Sequence, residues 1–144
     1  MRALIQRVTQ ASVSIDNNTI SEIKQGLLIL ACAMNDDNEE DAEKMASKIS
    51  KIRIFNDEAG KLNKSIIDIN GEALVVSQFT LAADTSRGNR PGFSYAAHPE
   101  QGEKLYEYFT QQLQNQNINC KKGVFGGDMK LSLIHISEPT RPSI

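Results

Sequence analysis

Between Gly26 and Met34 the chain runs through Leu27-Leu28-Ile29-Leu30-Ala31-Cys32-Ala33 without one charged side chain. This run constrains the fold more than any other segment. It is strand-sized, far short of the ~20 residues a membrane span needs. It also lacks the alternation of a half-wet strand, so it reads as a strand covered on both faces. A second such stretch, Ala73-Leu74-Val75-Val76, continues through Ser77 and Gln78 to Phe79.

The remaining segments fall into place around these two. Ala3 to Val8 is apolar-rich. Ala11 to Ile15 alternates strictly, Asp16-Asn17-Asn18 is a turn cluster, and Thr19 to Ile23 resumes the alternation. A hairpin is predicted there. After Asn35 to Asn38, the residues Ala42, Met45, Ala46, Ile49 and Ile52 keep helical spacing, and acids crowd the first turns, where the helix dipole favours them. Arg53-Ile54-Phe55 is a short strand. A second helix is predicted to start at Pro99, with Leu105, Tyr108, Phe109, Gln112 and Leu113 inward. Val124-Phe125 and Met129 to Leu133 read as two closing strands. Strands come in runs with two helices inserted, which argues for an α+β fold with antiparallel or mixed sheets. Residues 1–144 read as one domain without repeats.

Charge and cysteine content exclude several classes of function. Net charge is −2, from 16 basic and 18 acidic residues. Six of those acids lie between Asp36 and Glu43, leaving 12 acids against 16 bases elsewhere, so a locally basic face is allowed. Cys32 lies inside the apolar run, where free cysteine behaves as a small hydrophobe. Cys120 has Lys121 and Lys122 beside it but no base to make it a nucleophile. No metal-ligand spacing, phosphate loop or dinucleotide fingerprint is present. Neither a metal nor a cofactor is expected. Arg2, Gln6, Arg7 and Thr9 break up any signal-peptide layout, so the expected address is the cytoplasm, with no membrane partner.

Two features carry candidate chemistry. The strand end Ser77-Gln78-Phe79-Thr80 places polar groups beside a long loop from Ala82 to His98. Such groups can converge on a ligand, or they can cap and bond locally. In that loop, Arg87-Gly88-Asn89-Arg90-Pro91 offers two guanidinium groups. These suit phosphate, and equally suit a solvated surface. A Ser-His-Asp triad would have to use His98, beside a helix start, or His135.

Taken together, these segments resemble the D-aminoacyl-tRNA deacylases, also called D-Tyr-tRNA deacylases. The resemblance runs from Met1 to about Leu133. It is carried by Ala3 to Val8, Ala11-Ser12-Val13, Lys51 to Phe55, Gly60 to Asn63, Val75 to Asp84, Gly88 to Pro91 and Gly123 to Met129. Ser-Gln-Phe-Thr-Leu, then Arg-Pro, then Phe-Gly-x-Asp-Met, in that order and spacing, is a specific combination. The resemblance implies an α+β fold of mixed or antiparallel twisted sheets, barrel-like, with two main helices packed on one side, in a homodimer. It also implies hydrolysis of the ester joining a D-amino acid, or glycine, to the 3′-terminal adenosine of tRNA. The ribose 2′-hydroxyl assists that reaction.

Residue by residue, the resemblance places catalysis at Ser77, Gln78, Phe79 and Thr80. It places Phe125 and Met129 near the adenosine, and Arg7 where it orients the loop that selects chirality. For Phe125 and Met129 the alternative is plain core packing. Thr80 has two possible roles, nucleophile or holder of the ester. No base is visible to activate its hydroxyl, which favours holding.

The C-terminus departs from the family. Where family members carry a cis Gly-Pro that enters the partner subunit and blocks L-amino acids, this chain reads Ser137-Glu138-Pro139. The run from Ser132 to Pro142 looks like translated cloning adapter, so residues 134–144 are expected to be non-native and poorly ordered. Chiral discrimination and the dimer should weaken. The alternatives to a working deacylase are a module that binds the tRNA end without turnover, and a small domain with no tRNA affinity.

Overall fold

The computed structural model describes residues 1–134 apart from Thr85, Arg87, Pro91 and Asp128. Ser137, Glu138, Pro139 and His135 lie outside the described residues, as do the expectations made for the tail. Nine strands and two helices follow in the order β1 (Arg2–Val8), β2 (Gln10–Ile15), β3 (Asn18–Ile23), β4 (Gly26–Cys32), α1 (Glu39–Lys51), β5 (Phe55–Asn56), β6 (Leu62–Lys64), β7 (Glu72–Ser77), α2 (Pro99–Asn115), β8 (Asn119–Lys122) and β9 (Lys130–Ile134).

The apolar run forms β4 and sits inside a four-stranded sheet of order β1-β4-β7-β8. β1 pairs with β4 antiparallel, while β4–β7 and β7–β8 are parallel. The sheet is therefore mixed, and each helix lies in a crossover between parallel neighbours. Alternate residues of the central strands serve two layers. Ile5, Leu27, Ile29, Ala73 and Val75 pack against both helices through Met45, Ile49, Phe109 and Leu113. Leu28, Leu74 and Val76 face the other way, onto Val13 and Ile23 of a second sheet, β3-β2-β9. This double coverage is why β4 and β7 show no alternation.

α1 begins at a capping box. Asn38 accepts from the Asp41 amide at 3.2 Å, and its own amide donates to the Asp41 carboxylate at 2.9 Å, which satisfies donors the helix cannot. Gly26 is required by close approach, because a Cβ there would sit 1.7 Å from the Glu72 carbonyl oxygen.

Three segments differ from expectation. β7 stops at Ser77, and Phe79–Ala82 is a 3-10 turn. The strand after α2 is Asn119–Lys122, whereas Val124 and Phe125 lie outside any strand. That strand carries only half-buried Cys120 among exposed neighbours, so it has little apolar signature. In α2, Tyr106 is the fully buried tyrosine, while Tyr108 packs against the core only in part. Tyr108 also sends its hydroxyl to Glu43 of α1.

Candidate active site

Parallel strands leave their carboxyl ends on one edge, where crevices for ligands form. Here β4 and β7 end in register, Ala31 opposite Ser77, and the Gln78 amide donates to the Ala31 carbonyl at 2.9 Å. The chain then tightens into the Phe79–Ala82 turn. Its opening N–H groups, those of Phe79 and Thr80, are not used by the turn's own ladder.

Two further walls rise beside this edge. Gly123 closes β8 by donating to the Val75 carbonyl at 3.0 Å. The buried Tyr106 hydroxyl donates to the same carbonyl at 2.7 Å, and its ring backs Phe125 with centroids 5.8 Å apart. Burial raises the Tyr106 hydroxyl pKa, with the Glu107 charge adding to it, so it stays a donor. The Val124 amide meets the Met129 sulfur at 3.2 Å, which folds Met129 back over the glycine turn. The third wall is the end of the long loop. Asn35 donates to Tyr95 at 2.8 Å and Ala97 to Ala33 at 3.0 Å. That loop is also cinched at its base by reciprocal backbone bonds between Asp84 and Gly92, at 2.8 and 2.7 Å.

Between the walls lies a cleft of about 420 Å³, within the range of small-molecule sites. Ser77, Gln78, Phe79, Phe125 and Met129 all line it, so the structure brings together five of the seven residues picked from the sequence. Thr80 follows directly, its hydroxyl accepting from the Gln78 amide group. That partner cannot take a proton at neutral pH, so it does not act as a base toward the hydroxyl. Phe79 is 58% exposed and stands edge-to-face on Phe93, centroids 4.9 Å apart.

Arg7 is elsewhere. It lies near the opposite end of β1, opposite Leu27, and donates to the Ile54 carbonyl at 2.8 Å. It borders a separate pocket of about 180 Å³. Arg90 is exposed, and Arg87 lies outside the described residues.

Neither thiol nor His98 joins the cleft lining. Cys32 is buried near the cleft floor, its sulfur 3.8 Å from the Phe79 carbonyl. Burial raises its pKa, against a lowering by the Arg2 charge. Burial pushes Cys120 up to about 12. His98 is the exposed residue before α2 and makes no side-chain cap. Among the described residues no cluster of His, Cys, Asp and Glu could hold a metal ion.

Sequence reasoning missed Tyr106, Pro99, Gly126 and Gly127. Gly126 has a positive φ of 72°, and Gly126-Gly127 could have marked a turn at the site rather than a hairpin between strands.

The profile of the family described as D-Tyr-tRNA(Tyr) deacylase matches residues 4–136. The chain belongs to this deacylase family. Among the relatives of this deacylase-family chain is the D-aminoacyl-tRNA deacylase of Ruegeria pomeroyi. It is 57% identical over 135 residues, covering 94% of this chain and 93% of the relative. The enzyme of that name from Variovorax paradoxus is 47% identical over 142 residues, covering 99% and 97%. A solved structure of "c-Myc DNA Unwinding Element Binding Protein" superposes with TM-score 0.92 at 35% identity, covering 100% of this chain and 99% of that one. A probable eukaryotic D-amino acid tRNA deacylase superposes with TM-score 0.78 at 14% identity, covering 94% and 97%. That last likeness is one of fold alone. The family match spans all three walls of the cleft.

Proposed function

We propose that the cleft hydrolyses the ester between a D-amino acid and the 3′-terminal adenosine of tRNA, releasing the free amino acid and tRNA. One observation carries the reading. Within a deacylase-family fold, the polar end of β7 and the turn after it face Phe125 and Met129 across a single cleft. An aromatic ring and a polarisable thioether suit the flat face of adenine. The ester then falls beside Ser77, Gln78 and the opening of the turn. There the N–H groups of Phe79 and Thr80 can receive the oxyanion that develops as water attacks, the kind of donor that contributes most in acyl transfer.

The protein's own residues thus orient the ester and hold negative charge. They offer no strong base, and none is needed if the neighbouring ribose 2′-hydroxyl assists the water. Water adds to the ester carbonyl, the C–O bond to ribose breaks, and the proton from water passes to the departing 3′-oxygen. Thr80 acts as a holder of the ester, consistent with its bond from Gln78. The same cleft takes glycyl-tRNA, since glycine presents no side chain in either hand. The working unit is a homodimer in the cytoplasm, acting on tRNA without a metal or cofactor. Arg7 belongs to the apparatus that orients the chirality-selecting loop rather than to the ester site. With Glu138-Pro139 where the family has Gly-Pro, chiral exclusion is weakened.

The test is release of amino acid from D-Tyr-tRNA and L-Tyr-tRNA side by side. Cleavage of the D ester supports the reading. Accompanying cleavage of the L ester adds that the chiral block is weak. Binding of either tRNA without cleavage would refute the hydrolase in favour of a binding module.

A further inference from the structure

We propose that Arg2 is a positioning residue for hydrolysis, through its hold on the carbonyl end of the Phe79–Ala82 turn. The inference rests on the reading above, in which the opening N–H groups of that turn face the ester. Arg2 does not line the cleft. It lies on the edge strand β1, opposite Cys32 of β4, and cross-strand partners share one face of a sheet. Both side chains reach the same turn. The Arg2 guanidinium donates to the Leu81 carbonyl at 2.7 Å, and the Cys32 thiol lies 3.8 Å from the Phe79 carbonyl.

The geometry matters because of where Leu81 sits. The last carbonyls of a helical turn have no partner within it, and they form the negative end of its dipole. A guanidinium there satisfies one carbonyl and places positive charge where the turn favours it. The opposite end of the turn carries the free N–H groups. Fixing the carbonyl end therefore fixes the direction in which those donors point. The backbone bond from Ala83 to Thr80, at 3.1 Å, closes the turn on itself but does not tie it to the sheet. Arg2 supplies such a tie from a strand 79 positions away in the chain.

An exposed guanidinium adds little to stability by itself, so the two roles separate in an experiment. Arg2→Ala, Arg2→Lys and a control, Lys44→Ala, are compared with wild type on D-Tyr-tRNA, alongside thermal melting. Lys44 belongs to an exposed pair with Glu40 on α1. Arg2→Ala is expected to lower kcat about tenfold, equal to about 1.4 kcal/mol. KM and Tm should stay close to wild type, because the adenosine wall is untouched. Arg2→Lys, which keeps a charged donor, should recover most of the loss. Lys44→Ala should be silent. A wild-type kcat in Arg2→Ala overturns the proposal. So does a fall in kcat matched by the control or not relieved by lysine.

A second measurement covers the remaining cases, including an Arg2→Ala protein that folds poorly. The amide NMR signals of Phe79 to Ala82 are compared between wild type and Arg2→Met, which keeps the stem of the side chain and removes the donor to Leu81. They should shift, and shifts confined to β1 would count against Arg2 as the tie. Inactive wild-type protein would instead remove the functional reading, leaving these amide signals to judge whether Arg2 holds the turn.

Discussion

Gly123→Ala separates the shape of the cleft from the stability of the fold. A Cβ at position 123 would sit 2.6 Å from the Met129 sulfur, 3.3 Å from its terminal methyl and 3.7 Å from a Val76 methyl. Only the Met129 contacts are too close, and they belong to the end of a flexible side chain. The sulfur must retreat by about 0.8 Å to reach ordinary contact, and displacements of that order in a positioned site cost up to about a hundredfold in rate. Stability should suffer much less. Methionine re-packs readily, and the contact given up, Val124 amide to sulfur, is weak. A penalty of about 1 kcal/mol would lower Tm by only about 2–4 °C in a chain of this size. The expected result is a fall of about ten- to a hundredfold in kcat/KM on D-Tyr-tRNA, with a melting curve close to wild type. Steady-state kinetics and calorimetry on the same preparation decide it. An unchanged kcat/KM would show that Met129 does not shape the substrate site. A collapse of Tm would show that Gly123 serves the fold instead.

Three further outcomes can be checked independently. Gly26→Ala should give little or no soluble protein, because its Cβ meets the Glu72 backbone at 1.7 Å and a strand pair cannot yield as methionine does; recovery of folded protein would contradict this packing. Thr80→Ala should retain turnover within about tenfold, as loss of one holding bond allows, and complete loss in a folded variant would restore Thr80 as a nucleophile. The Cys120 thiol, raised to about 12 by burial, should remain protonated in the folded protein while the unfolded chain ionises near 9. Its contribution to stability is then fully present below pH 9 and lost as pH rises toward 12. Urea midpoints at about pH 8 and about pH 10.5 should fall more steeply in wild type than in Cys120→Ala, and equal slopes would disprove the linkage.

Most of the layered fold was legible because burial on two faces leaves a distinctive run. Leu27 to Ala33 has no alternation since Leu27 and Ile29 serve the helices while Leu28 serves the second sheet. The helix over 39–51 was equally plain, its apolar spacing and acidic start matching the capping box at Asn38. β8 was not legible. Exposed Lys121 and Lys122 dominate it, and its place in the sheet comes from parallel pairing with β7, which no local pattern announces. At the cleft, the polar residues after Val76 could be read as a site because they end an otherwise apolar strand. Tyr106 could not. Two positions separate a buried tyrosine from a half-buried one, and Tyr106 faces inward because its hydroxyl finds the Val75 carbonyl.

The cleft draws one wall from residues 76–79, a second from Ala97 and Pro99, and a third from Phe125, Gly126, Gly127, Met129 and Leu131, segments gathered by the parallel pairing of β4, β7 and β8, by the Ala97 to Ala33 backbone bond and by the antiparallel pairing of β9 with β2. Parallel partners cannot meet through a short turn, and each pairing waits on closure of a long intervening chain. A fragment ending before β8 therefore lacks the wall that carries Phe125 and Met129. The complete cleft thus waits on β9, since Leu131 lines it from that strand.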